Sequence, residues 1–167
     1  VAVDEHLLHT LEEEVGVEYT EDLGVIAPVL TMRYAAAVGD LNPLYTDPAY
    51  ARARGFADVV APPNFLPGVI NWSAGAPYDE LREDGTEANT HLPGVPATGV
   101  RVMGGGEEMT FLAPLVAGTA VRRTTVLADV TMRDSRGGPM LVCHYRDEYA
   151  DDLGTPLLSS VRTVLLR

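Results

Sequence analysis

Lysine is absent from the chain: all 12 basic residues among its 167 are arginine. Schiff-base chemistry, a lysine-bound pyridoxal cofactor and a P-loop of the usual kind are thereby excluded. Cysteine is almost as scarce. The single Cys143 has no partner for an internal disulfide and reads as a small core residue. No apolar run approaches the roughly 20 residues of a membrane-spanning helix, and the opening VAVDEHLLHTLEEE has neither the basic region nor the apolar stretch of a signal peptide. A cytoplasmic protein with no membrane partner is therefore expected. Positive charge is also short, with 24 acidic residues against the 12 arginines for a net charge of -12. Residues 1–98 hold 16 acids and 4 arginines, while residues 99–167 hold 8 of each, so the whole imbalance lies in the first part. Such a surface repels phosphate backbones, and no nucleic-acid partner is expected.

What is present is ample apolar material. A hydrophobic share of 46% over this length supplies one domain with a core, and is short of two comfortable ones. Leu7, Leu8 and Leu11 recur at helical spacing behind Asp4, which predicts a short amphipathic helix over residues 3–14, an N-terminal element preceding a domain of residues 15–167. Residues 15–19 suit a first strand. Ala27-Pro28 opens a second helix that stops at Gly39, and GDLNPLYTDP reads as irregular backbone before a helical turn or two in DPAYARARG. Because a proline is well tolerated at a helix start, a third, mostly apolar helix is expected from Pro63, carrying Phe65, Leu66, Val69, Ile70 and Trp72. Residues 74–98, acidic and bracketed by Gly and Pro, form a long surface loop. From there the period changes to that of strands over 107–114, 120–133, 139–151 and 156–167, separated by short turn sequences, which implies an antiparallel meander. The sum is an α+β architecture: a central apolar helix wrapped by an antiparallel sheet of about five strands. The last strand is apolar on both faces near its end, which points to an oligomer.

The segment YAAAVGDLNPLYTDPAYARARGFADVVAPPNF, residues 34–65, resembles the signature of the MaoC-like dehydratase and (R)-specific enoyl hydratase family, in its branch with a type I fatty-acid-synthase-like dehydratase N-terminal domain. Gly104-Gly105-Gly106, the strand EEMTFLAPLVAG and a final strand with Arg162 are similar to that branch as well, so the likeness extends over roughly residues 15–167. It implies a single hotdog fold and no cofactor or metal. It further implies as partners an acyl-coenzyme A or acyl carrier protein thioester and, as homodimer or heterodimer, a second hotdog subunit. Family members of the hydratase type use an Asp followed five residues later by a His, with the thioester oxygen held by a helix N-terminal amide. The α-proton of a thioester is far less acidic than any side chain, so the enolate-like charge has to be met by fixed N–H dipoles, while acid and base groups near neutrality move the protons.

By that resemblance Asp40 matches the acid and Tyr45 stands where the His belongs, giving Asp40 and Tyr45 as catalytic candidates. Asn42, Pro63, Asn64 and Phe65 are the candidates for substrate binding. The chain departs from the pattern twice. A phenol is a donor at neutral pH and a poor base, and Pro62-Pro63 replaces a His-Gly step, so no backbone N–H exists before Asn64. Plainer readings stand beside these: Asp40 as a turn cap, Asn42 as a turn former, Tyr45 as a packed aromatic. His91 and His144 are ordinary solvated or core histidines or substitutes for the missing imidazole. His6 and His9, three apart on the first helix, lack a third ligand for a metal. Three functions are consistent with this. The chain is a subunit of an (R)-3-hydroxyacyl-thioester dehydratase or enoyl-thioester hydratase whose partner supplies Asp and His. Alternatively it is a homodimeric tailoring dehydratase of natural-product or polyketide metabolism using Asp40 with a substitute donor, or a non-catalytic acyl-thioester binding module.

Overall fold

The computed structural model describes residues 3–69, 75–83, 85, 87 and 91–167. Its helical layer is built from short elements, each started by a side-chain cap or a proline. Helix α1 (Glu5–Glu14) begins where Asp4 Oδ1 accepts the Leu7 N–H at 2.9 Å, and it buries Leu7 and Leu11. Helix α2 (Pro28–Val38) has proline in its first turn and ends at Gly39, whose φ of 76° is left-handed, as a helix stop requires. The following stretch, expected as irregular, instead holds a helical turn α3 (Pro43–Thr46), and the helical turn or two expected in DPAYARARG is α4 (Pro48–Ala53). Asn42 Oδ1 accepts from the Leu44 N–H at 3.0 Å, and Asp47 Oδ1 from Ala49 and Tyr50 N–H at 2.8 and 3.2 Å. The residues that mark turns also cap helices when proline follows, which is why the pattern misled.

The central helix is displaced from its expected start. Asn64 is left-handed at φ 66°, so α5 begins at Phe65 rather than Pro63 and runs Phe65–Gly68 before Val69 turns extended. Pro67 can offer no N–H to extend the ladder; Ile70 and Trp72 lie outside the described residues. Gly68 leaves room for Tyr34, whose hydroxyl a Cβ there would meet at 2.6 Å. Between α5 and the next strand the described residues hold a 3₁₀ turn at Tyr78–Glu80 and a bridge between Leu81 and Glu87.

Five antiparallel strands form one sheet in the order β1-β3-β4-β5-β2: β1 (Glu18–Val25), β2 (Val102–Phe111), β3 (Ala120–Ser135), β4 (Gly138–Asp151) and β5 (Pro156–Leu166). Only β3, β4 and β5 form a meander. The expected four-strand meander is corrected, because β2 pairs with β5 at the far edge and residues 112–119 carry the chain back to β3. Backbone bonds hold that crossing in place: Ala61 N–H to Leu115 O at 2.7 Å, Ala117 N–H to Val59 O at 2.9 Å, and Gly118 N–H to Ile26 O at 2.8 Å. With Leu115 and Ala117 buried, the crossing fills space between helices and sheet. Strand β1 lies later than the expected 15–19 because only Leu23 along it is buried, leaving no apolar alternation to read. Phe65 and Leu66 share a core with Leu23 of β1, Val121 of β3, Tyr149 of β4 and Leu157 and Leu158 of β5. A short apolar helix enclosed by one antiparallel sheet is the α+β hotdog fold.

The inner face of the sheet is not uniformly apolar. Along β4 the inward residues are Leu141, Cys143, Tyr145, Asp147 and Tyr149, all buried. The first three join α1 and Leu127 in one cluster, and Tyr149 belongs to the α5 cluster. Between the two sits Asp147, 0% exposed, whose carboxylate accepts from Thr125 Oγ1 at 2.6 Å and from Arg162 Nε and Nη2 at 2.6 and 3.2 Å. Burial pushes the Cys143 thiol up to about 12, the behaviour of a closed-in core residue. Arg162 keeps 28% of its side chain exposed, so Asp147→Ala would leave a partly hydrated charge and an unpaired Thr125 hydroxyl, and should destabilise the fold by about 2–3 kcal/mol. Urea denaturation measures this; a loss below about 1 kcal/mol, the scale of an exposed ion pair, would show the pair to be dispensable.

Candidate functional site

A cavity of about 390 Å³ opens beside α5. Its walls come from α3 (Leu44, Tyr45), Phe56, the Val60–Leu66 stretch, the start of the β2–β3 crossing and β5. Nearly every wall is apolar; Tyr45 and Asn64 are the polar side chains among the lining residues. The N–H of Val60 donates to Leu44 O at 2.9 Å, which ties the Tyr45 turn to the floor of the cavity.

Asp40 and Tyr45 come together through local chemistry. Asp40 follows the Gly39 stop of α2, its N–H donating to Ala35 O at 3.0 Å and its Oδ1 accepting from the Asn42 N–H at 3.3 Å. The Asn42 cap then starts α3 and turns Tyr45 into the cavity wall. Burial first, and the charge of Asp40 second, raise the Tyr45 phenol above its ordinary value. The phenol is thus held protonated, as a donor beside a carboxylate. Asn42, an expected substrate contact, does not line the cavity; its side-chain oxygen is engaged in capping.

The other expected contacts, Pro63, Asn64 and Phe65, all line the cavity. Pro62 and Pro63 have no N–H, and that of Phe65 donates to Pro62 O at 3.2 Å. Asn64 carries the one N–H of residues 62–65 with no hydrogen bond among the described residues. Tyr34 braces this turn: its hydroxyl donates to Asn64 O at 3.0 Å and its ring meets Phe65 edge-on at 5.4 Å.

None of the four histidines lines the cavity. Nε2 of His91 lies 2.9 Å from Glu87, beside a separate depression with Tyr19 and Arg123; Nδ1 of His144 lies 3.5 Å from Asp129 on the sheet. His9 neighbours Glu12 and Glu13 on the outer face of α1, and among the described residues no group of three or more His, Cys, Asp or Glu is placed to hold a metal ion. Sequence reasoning passed over Phe111 and Leu112, which line the cavity while 56% and 50% exposed. Their apolar character was visible, but nothing in a strand pattern says that a strand end borders a cavity. The arrangement can hold an apolar group, donate a proton or hydrogen bond from Tyr45 and offer one amide at Asn64, while the Asp40 carboxylate stands outside the lining and acts on the phenol. It has no group of intermediate basicity.

Comparison with known proteins places this geometry in context. The family model described as the FAS1-like dehydratase domain region matches residues 13–159. A Streptomyces avermitilis protein named UPF0336 protein is 31% identical over 134 residues, 80% of this chain and 79% of its own length. Among solved structures, the R-hydratase PhaJ1 of Pseudomonas aeruginosa superposes with a TM-score of 0.64 at 20% identity, over 93% of this chain and 83% of that one. The HadBC (3R-hydroxyacyl-ACP dehydratase) complex of Mycobacterium tuberculosis does so with a TM-score of 0.64 at 17% identity, over 91% and 96%. At those identities the structures bear on the fold.

Because the Asp40 charge contributes to the raised phenol, Tyr45 should titrate above the ordinary value of about 10, and Asp40→Asn should lower it part of the way while burial keeps it from returning fully. The difference in ultraviolet absorbance titration between the parent and Tyr45→Phe, repeated in the Asp40→Asn background, isolates this group.

Proposed function

As the chain belongs to the FAS1-like dehydratase family, we propose that it is a subunit of an (R)-3-hydroxyacyl-thioester dehydratase or enoyl-thioester hydratase, shaping the acyl cavity while a partner hotdog supplies the working Asp and His. The observation that carries this reading is the composition of the cavity: an apolar space with a phenol and an amide side chain in its wall, the Asp40 carboxylate outside the lining but felt by that phenol, and no imidazole among the lining residues. Adding water across an enoyl thioester requires one group that both takes and returns a proton near neutrality, and imidazole does this where a phenol does not. The proline pair at residues 62–63 withdraws two amides from the place where the enolate oxygen is to be met.

Two further observations support a divided enzyme. The sheet ends in two open edges, β1 and β2, and open edges pair unless covered. The net negative charge of residues 1–98 disfavours docking of the phosphate groups that carry such thioesters, a task then left to the partner. HadBC, described in its own structure as a complex, offers a precedent for such an assembly. The raised phenol of Tyr45 beside Asp40 favours a second reading, a homodimer in which Asp40 is the base and Tyr45 the donor.

A crotonyl thioester assay of the isolated chain, and of the chain with a hotdog partner carrying Asp and His, separates these readings. Losing one oxyanion donor typically costs about 10²- to 10³-fold, so the isolated chain should fall at least that far below the complex. Asp40→Asn here should cost far less than the equivalent change in the partner. Turnover of the pure chain at ordinary enzymatic rates, about 1 to 10³ per second, abolished by Asp40→Asn, would overturn the divided enzyme in favour of the homodimer. Light scattering of the purified protein should give at least two chains' mass; a species of 17.9 kDa would refute the association.

A further inference from the structure

Helix α2 lacks the polar outer face of a surface helix. It buries Thr31 and Ala35, while Val29, Leu30, Arg33, Ala36, Ala37 and Val38 are exposed, and Arg33 is the one charge along it. Val25 before the helix and Leu41 after it add to the exposed apolar residues; with Val29, Leu30 and Val38 they are 43% to 65% exposed. A helix apolar on nearly all sides is ordinarily one that an assembly buries. The charges around it say what can approach. Of the 16 acids in residues 1–98, eight lie in residues 1–24 and five in 61–98, whereas residues 25–60 balance Asp40, Asp47 and Asp58 with Arg33, Arg52 and Arg54. Two copies of this chain, each with a net charge of -12, therefore meet the least repulsion at this stretch.

We propose that α2 is an interface between two copies of this chain, packed antiparallel about a two-fold axis at the Ala36–Ala37 step. A two-fold contact must be complementary to itself, and α2 is. Arg33 and Asp40 stand at equal distances, about 5 Å along the axis, before and after that step. Arg33 makes no hydrogen bond or ion pair among the described residues, and Asp40 accepts the Asn42 N–H and has no cation beside it. Reversing one copy against the other sets each Arg33 opposite the other's Asp40, so that one contact satisfies four charges. The two alanines let the helices approach closely at the axis, and Val29 and Leu30 of each copy lie toward the Leu41 end of the other. Complementary charges at such a contact fix its register, and like charges in the same places oppose it. Asp40 also acts on Tyr45, so the interface ends beside the candidate site. The pairing uses neither edge of the sheet and holds whatever the cavity binds.

Light scattering of the isolated chain at micromolar concentration tests this, with circular dichroism to show that each variant is folded. Arg33→Asp leaves carboxylates facing carboxylates and Asp40→Arg leaves guanidiniums facing guanidiniums, so each alone should halve the parent mass. Mixed in equal amounts, these two variants restore both pairs, and the parent mass should return. Ala37→Glu, at the axis, should halve the mass as well without touching Asp40, which keeps the test decisive if Asp40→Arg does not fold. A parent of 17.9 kDa, a mass that neither Arg33→Asp nor Ala37→Glu lowers, or a loss that mixing the folded variants does not recover overturns the pairing. Variants that keep the mass of the isolated chain but no longer bind a hotdog partner assign the face to that partner, and overturn it too.

Discussion

A single buried carboxylate joins three strands. Asp147 on β4 takes a hydrogen bond from Thr125 on β3 and two from Arg162 on β5, and no part of it reaches water. A charge in that position is tolerable only with its partners in register. The alternation of these three strands against one another is then pinned, since a slip of one residue would turn the whole set to the opposite face. The pair also divides the inner face, leaving one apolar cluster to be covered by α1 and another to be covered by α5. The cavity exists at the second end because four-residue α5, followed by an extended Val69, leaves part of that end to the crossing at 112–115.

The site rests on a smaller-scale economy of backbone groups. Asn42 and Asp47, each before a proline, start two successive helical turns, and the first of them sets Tyr45 in the wall. Asp40 is placed by the end of α2 and the same turn. Pro62 and Pro63 leave one amide unengaged among the described residues, at Asn64, where a left-handed residue redirects the chain, and Tyr34 fastens its carbonyl. Each part is held by its neighbours, so donor and carboxylate are fixed without help from a ligand. What such an arrangement lacks is an imidazole, and that absence among the lining residues is what gives the partner subunit its role in the proposed reaction.

Much of this was legible in residues alone. Leucine spacing behind Asp4 showed α1, Pro28 and Gly39 bounded α2, and alternation between short turn sequences showed β3, β4 and β5 close to their observed limits. These features depend on partners a few positions apart: a cap and its amide, a proline and its missing donor, a side chain and the one two residues on. The resemblance carried by GD-x-NP and APPNF pointed to Tyr45 and Asn64, which line the cavity, and to Asp40, whose charge reaches Tyr45; local turns make their placement. The same locality explains the errors, since Asn and Asp serve turns and helix caps equally, and since β1, with one buried residue, carries almost no apolar pattern.

Contacts between distant segments belong to the tertiary structure. That β2 lies on β5, that the chain returns through residues 112–119 to border a cavity, and that no histidine reaches it are outcomes of how whole faces are buried together. Thr125 and Arg162, 22 and 15 residues from Asp147, could be matched to it only once the strands were in register. The sequence by itself determined the elements, the charge and the chemical groups available, because these are properties of single residues and near neighbours. Which groups line the cavity was decided by folding, because only the paired strands and the crossing at residues 112–115 bring residues so far apart in the chain to one surface.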